Sequence, residues 1–348
     1  MMWFLAIFTV LCGAVSLLTP ATAAEWQLRL LDTGQPIVEI RTDQKGGVHA
    51  RSQRGWREVR ADKDRVCIQA NHARPHWVPI PSGGLVDGEV GRSDLKGGIR
   101  KGWLGEPTRR YRHGVIGDDV EAGSVMAIDD SGTAHVFRPA GESVFEDRLV
   151  RLANVDGRPG AEVVIVESNG ERGARVVVLG LRNGQLVQIT ASPPIGRGYR
   201  WLNPVGIADF DGDGRMDIAV VRTPHIGGIL EIWRYREGEL QRVAHRPGYS
   251  NHWIGSRALR VSAIADMNGD NRPDILLPDQ AKTKLKAVSV GRAITPIASI
   301  NLPGRINSAI GILGAGNRPP VFAFAVADGR LAFLRSGYLS QPVICAAQ

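Results

Sequence analysis

The chain is poor in cysteine, with three residues in 348, and poor in aromatics, at 6%. So few cysteines exclude a disulfide-dense scaffold, and the absence of clustered Cys and His ligands excludes a structural zinc site. There is no Gly-x-Ser-x-Gly elbow, no His-Glu-x-x-His and no phosphate-cradling glycine loop, so the common hydrolase, metalloprotease and nucleotide-binding signatures do not apply. Beyond residue 24 no apolar run reaches membrane-spanning length. No segment sustains a 3.6-residue apolar period either. With 42 glycines and 20 prolines, an all-α fold is excluded, because Gly weakens helix interiors and Pro breaks them.

What is present begins with an apolar stretch from Met1 to Leu18, followed by the small residues Thr19-Pro20-Ala21-Thr22-Ala23-Ala24. This pattern predicts an export signal cut after Ala24 and a periplasmic or secreted product. It departs from the usual signal in having no Lys or Arg before the apolar run, and an uncleaved anchor is the alternative. Removal of residues 1–24 takes away Cys12 and keeps the formal charge of +8. Two thiols remain, Cys67 and Cys345, and in an oxidising compartment they are expected to pair. Two buried free cysteines are the alternative. Lys and Arg are scattered rather than grouped, so the charge suits acidic surfaces in general and gives no support for nucleic acid as a partner.

Self-similarity is the main signal. Three segments align without gaps: Ala-Asn-Val-Asp-Gly-Arg-Pro-Gly-Ala-Glu-Val from Ala153, Ala-Asp-Phe-Asp-Gly-Asp-Gly-Arg-Met-Asp-Ile from Ala208, and Ala-Asp-Met-Asn-Gly-Asp-Asn-Arg-Pro-Asp-Ile from Ala265. Their loops start at Asn154, Asp209 and Asp266, intervals of 55 and 57 residues. A fourth, degenerate copy repeats Ser262-Ala263-Ile264 as Ser308-Ala309-Ile310 and Asn271-Arg272-Pro273 as Asn317-Arg318-Pro319. Strand-like runs fall at 162–167, 175–181 and 185–190, then at 217–222, 229–236 and 240–245, with Arg182-Asn183-Gly184 and Glu237-Gly238 as turns. A β-rich unit of this length predicts an all-β fold, a β-propeller of four-stranded blades. Residues 25–348 divide into seven such blades, with six as the alternative, in one domain whose repeats are clear over about 150–335. The less periodic region up to Ile116 leaves open a small separate module.

Asp209, Asp211, Asp213 and Asp217 stand at positions 1, 3, 5 and 9 of a tight loop containing Gly212 and Gly214. Four carboxylates so crowded repel one another unless a cation sits among them. A hard divalent ion bound by oxygen fits, and the Arg215 carbonyl at position 7 is a further ligand. Asp266, Asn268, Asp270 and Asp274, with the Arg272 carbonyl, repeat the set. An EF-hand needs a bidentate Glu at position 12 and a following helix. Here that position is Val220 in one loop and Leu277 in the other, both in predicted strands.

These residues resemble the FG-GAP or VCBS repeat family, whose members are similar to the integrin α-subunit propellers with calcium in loops between strands. The resemblance implies two structural Ca²⁺ sites on the ligands just named. In the first copy Asn154, Asp156 and Glu162 remain, but Arg158 takes position 5, and little or no calcium is expected. In the fourth, Ile312, Gly314, Gly316 and Pro320 leave no side-chain ligand.

Three histidines precede Ile-Gly steps, His113, His225 and His252, and form a possible site on one face if the repeats are equivalent. Packing in equivalent positions produces the same recurrence without function. Trp201, Trp233 and Trp253, with Arg200, Arg257 and Arg260, offer stacking and anion-binding groups to a sugar or acidic polymer, or else pack between blades. Asp118, Asp119 and Glu121 form an acidic cluster near His113, either an acid-base pair or a solvated turn. The function expected is a non-catalytic, calcium-binding module for an unidentified protein or carbohydrate ligand. An enzyme acting on polysaccharide, a lyase or hydrolase, is the alternative.

Overall fold

In the computed structural model, residues 25–314 and 319–346 are described, so the export segment 1–24 and the Gly316, Asn317 and Arg318 positions of the fourth copy lie outside the described residues. The described secondary structure is all-β, with five sheets, antiparallel except for one parallel strand pair, and no helix. The strands follow the sequence closely: Glu162–Ser168, Arg175–Arg182 and Gln185–Ala191 in one repeat, and Asp217–Arg222, Ile229–Arg236 and Glu239–Pro247 in the next. Central strands such as Glu162–Ser168 are buried along their whole length, because both faces of the sheet are covered. Outer strands such as Glu239–Pro247 are buried at only two of nine positions, which is why their sequences turn polar.

Three sheets hold four strands each. Two of them use consecutive segments, over residues 202–247 and 263–301. A nine-stranded sheet contains two further groups, one over 91–137 and one over 151–191, joined by the short strand Val144–Phe145, which pairs with both. The chain ends cross over. Trp26–Leu31 runs antiparallel to Leu331–Ser336 and completes the C-terminal sheet. Val343–Cys345 runs parallel to Arg65–Gln69 and adds a fifth strand to the N-terminal sheet. Cys67 and Cys345 are joined by a disulfide across that pair, with Cα atoms 5.7 Å apart.

Apolar side chains join successive sheets face to face. Val164, Val176 and Val178 meet Ile218, Val220 and Trp233. Ala219, Val221 and Ile232 meet Ile275, Leu277 and Val288. Leu276 and Leu285 meet Phe322, Phe324 and Leu334, and Ala323 and Phe333 meet Ile40, Val59 and Ile68. From the 151–191 strands round to the N-terminal sheet, each group of strands thus packs against its successor, a propeller-like stacking. Across the seam between the N-terminal sheet and the 91–137 strands, polar contacts appear: Arg41 pairs with Glu89 at 3.2 Å, and the Gln44 amide donates to the Val90 carbonyl.

Candidate functional site

Three loops of the repeat share one backbone solution. Position 4 is glycine in each, Gly157, Gly212 and Gly269, at φ of 78°, 76° and 81°. A side chain is strained in that left-handed region, so glycine is favoured there. The curl lets position 1 accept from its own loop: Asp209 takes the amides of Gly212, Asp213 and Gly214, and Asp266 takes those of Gly269 and Asn271. The fourth copy keeps no carboxylate at Ile312, which lies in the strand Gly311–Leu313.

The Asp209 loop brings oxygens of Asp209, Asp211 and Asp213 within 4.8 Å of one another. A cation from the protein already lies there. Arg234 faces Asp217 across the strand pair, and its Nε and Nη2 donate to the two Asp217 oxygens at 2.6 and 2.7 Å. The same guanidinium reaches Asp211 at 2.8 Å and Asp213 at 3.0 Å. Asp217 is fully buried and Arg234 nearly so. Burial pushes the Asp217 carboxyl up, and Arg234 opposes that shift. Arg234 in turn is held above its ordinary value, first by its bond to Asp217.

At the Asp266 loop the residue across from Asp274 is Ser289, since Ile275 pairs with Val288. No guanidinium enters from the strand. Arg272, on the loop's exposed side, holds Asp270 at 2.7 Å. Asp274 is 0% exposed; one oxygen accepts the Met267 amide at 2.9 Å, and the other, Oδ1, has no partner among the described residues. Burial raises its carboxyl, and the Met267 amide and the Ser289 side chain oppose that rise. A buried carboxylate oxygen without a donor is costly. Asp266, Asn268, Asp270 and Asp274 offer the oxygen chemistry that suits Ca²⁺; among the described residues it is the Asp209 group whose oxygens lie within 4.8 Å of one another, and there the ion has to compete with Arg234.

In the first copy, Asp156 pairs with Arg182 and only distantly, at 3.9 Å, with the exposed Arg158. Arg182, not Arg158, is therefore the close cation of that loop. Glu162 accepts the amide of Val155, and burial pushes its carboxyl up to about 7.

The three histidines come partly together. His252 donates from Nε2 to the Ser256 carbonyl at 2.9 Å, which leaves Nδ1 to accept from Nε2 of His225, also at 2.9 Å. Burial drives His225 down to about 4 and His252 to about 3. His113 is not in that pair; it bonds Glu146 at 2.6 Å. Trp201 links the two groups, packing edge-on to His252 and donating to the Glu146 carbonyl. Burial thus favours neutral rings at His225 and His252, of which His252 is fully buried and His225 half-buried.

Of the acidic cluster, Asp118 pairs with Arg257 and Asp119 with Arg109, while Glu121 is fully buried with both oxygens unpartnered among the described residues. Burial, with Glu146 nearby, lifts Glu121 to about 9. The tryptophans divide. Trp201 and Trp233 belong to the core, whereas Trp253, Arg257 and Arg260 line a cavity of about 500 Å³ together with Arg41 and Glu89. Sequence reasoning missed Arg41 and Glu89, which lie far from the repeats, and Arg234, which lies outside the loop motif.

No helix among the described residues is long and apolar enough to cross a membrane. No curated protein matches the chain. A crystal structure described as BBS1N in complex with ARL6DN, soaked with lead, is similar at 10% identity and a TM-score of 0.45, over 87% of this chain and 88% of that one. Residues 154–220, from the start of the Asn154 loop into the strand after the Asp209 loop, match the family model described as FG-GAP-like repeat.

Proposed function

We propose that the protein is an exported, calcium-stabilised β-propeller of six sheets that acts as a non-catalytic binding module for protein or carbohydrate. The count of six takes the nine-stranded sheet as two groups. The observation that carries the calcium reading is Asp274, fully buried with an oxygen unpartnered among the described residues, in a loop that also presents Asp266, Asn268 and Asp270. These side chains, with the Arg272 carbonyl, would hold the ion, and the ion would supply the counter-charge that Asp274 lacks. The Asp209 loop would admit a second ion only by displacing Arg234. Export is supported by the apolar start of the sequence and by a disulfide between residues 67 and 345. The polysaccharide-enzyme alternative is less well supported, because His252 is fully buried and both its ring nitrogens are engaged.

Calorimetric titration of the chelated full chain with Ca²⁺ tests the reading. One site is expected, with a dissociation constant on the order of 10⁻⁴–10⁻³ M, as for extracellular modules, and with a matching rise in melting temperature that Asp274→Asn abolishes. No heat and no thermal shift, or an unchanged response in Asp274→Asn, overturns it.

A further inference from the structure

The cavity of about 500 Å³ draws its wall from parts of the chain as distant as Arg41 and Asn307. That volume is in the range of ligand pockets, which run from roughly 300 to 1,000 Å³. Five arginines line it, Arg41, Arg51, Arg148, Arg257 and Arg260, with Glu39 and Glu89 in the wall and Asp87 and Asp118 as the partners of Arg148 and Arg257, which leaves one positive charge in excess. Glu89 alone is shared by Arg41 at 3.2 Å and Arg260 at 2.9 Å. Arg257 turns to Asp87 and Asp118 behind the wall. Arg148 is held below its ordinary value by burial, with Arg41 adding to the effect. An entering anion relieves this crowding of like charge.

Two further features narrow the class. Trp253 stands in the wall, and large rings of this kind offer an apolar face to a ligand. Asn307 also lines it, and its Oδ1 is buried without a partner among the described residues. An unfilled acceptor calls for a donor.

We propose that this cavity binds an anionic oligosaccharide, with an acid group on the guanidinium fork of Arg260, its hydroxyls on Asn307 and Glu89, and a ring face on Trp253. The proposal rests on the binding-module reading above. A neutral sugar leaves the excess of arginine uncompensated. An acidic peptide brings a run of carboxylates against Glu39 and Glu89, whereas hydroxyls donate to them. Guanidinium suits the acid groups because its planar fork matches a carboxylate or sulfate in two bonds.

The test is titration of the full chain with tetragalacturonate, with maltotetraose and tetraglutamate as comparison ligands, and a calcium thermal shift on the same sample. Expected are binding of tetragalacturonate that weakens as salt rises, no response to maltotetraose, and at least tenfold weaker binding in Arg260→Gln and in Trp253→Ala. Melting curves of both variants establish that they fold, and Arg260→Lys supplies a milder change if Arg260→Gln does not. No binding of tetragalacturonate, binding unchanged in the folded variants, or tetraglutamate binding as tightly or more tightly overturns the proposal. A sample that shows the calcium shift but no glycan binding overturns the cavity assignment alone; loss of the calcium shift overturns the calcium reading instead.

Discussion

The Asp209 and Asp266 loops carry nearly the same ligand pattern on the same glycine-curled backbone, yet they answer the same electrostatic problem differently. In the first, a strand residue, Arg234, inserts a buried guanidinium among Asp211, Asp213 and Asp217. In the second the facing residue is Ser289, and Asp274 keeps an oxygen unpartnered among the described residues. The Asn154 loop follows the first course with Arg182 on Asp156. A repeat motif thus conserves a need for positive charge, not its source. In two of the loops that cation comes from the adjoining strand, as Arg234 or Arg182; in the third the loop's own Arg272 reaches Asp270 and leaves the buried Asp274 without one.

Removing the resident cation is the strongest way to break the contrast. Arg234→Met leaves the buried Asp217 without a counter-charge, and a loss of about 3–5 kcal/mol is expected in urea denaturation with chelator present. Calcium should then restore part of that loss, turning the loop into one of the other kind. A loss below about 1 kcal/mol with no calcium response sinks the assignment of Arg234 as the cation of this loop.

The next effect is the calcium response of the Asp266 loop. At an ion concentration of 100 times the dissociation constant, binding adds about 2.7 kcal/mol of stability. Ser289→Arg places a guanidinium in the position that Arg234 fills in its own repeat, and it should remove that gain while leaving the fold intact in chelator. A calcium-dependent melting shift that survives Ser289→Arg contradicts the reading.

The smallest effect concerns the first copy and pH. Glu162 has a folded value of about 7, above its ordinary 4.5, with burial as the main cause. Between those values the folded state holds a proton that the unfolded state releases, so this group's contribution makes stability fall as pH rises from about 4.5 through 7. Glu162→Gln should flatten that slope, read from denaturant midpoints at several pH values across the window. The buried histidines have the opposite sign. His225 and His252 have folded values lowered by burial to about 4 and 3, so their contribution is present above 6.5 and is lost as pH falls below it. A midpoint that holds steady down to about pH 4 contradicts their burial as neutral rings.

Much of the frame was legible in the residues. The strands Asp217–Arg222 and Ile229–Arg236 fall where the apolar runs and turns put them. The loops announced themselves because their ligands are local, within nine residues of chain. Arg234 did not, for a geometric reason. It lies 17 residues beyond Asp217, while Ser289 lies 15 beyond Asp274. Both hairpins also shift register at a bulge on the far side, at Ile232/Trp233 and Ala287/Val288. No fixed spacing marks the facing position. The histidine recurrence was visible as well, but not that His225 and His252 bond each other while His113 turns to Glu146.

The sequence by itself determined the all-β character, the repeat and the oxygen-rich loops, since each depends on neighbours along the chain and on backbone preferences that act over a few residues. Only the tertiary structure decided which carboxylates already have a cation, and that Arg41, Arg260 and Asn307 share one wall. Pairing across strands and stacking of sheets bring together residues hundreds of positions apart, and the Coulomb and desolvation energies that define a site depend on that separation in space.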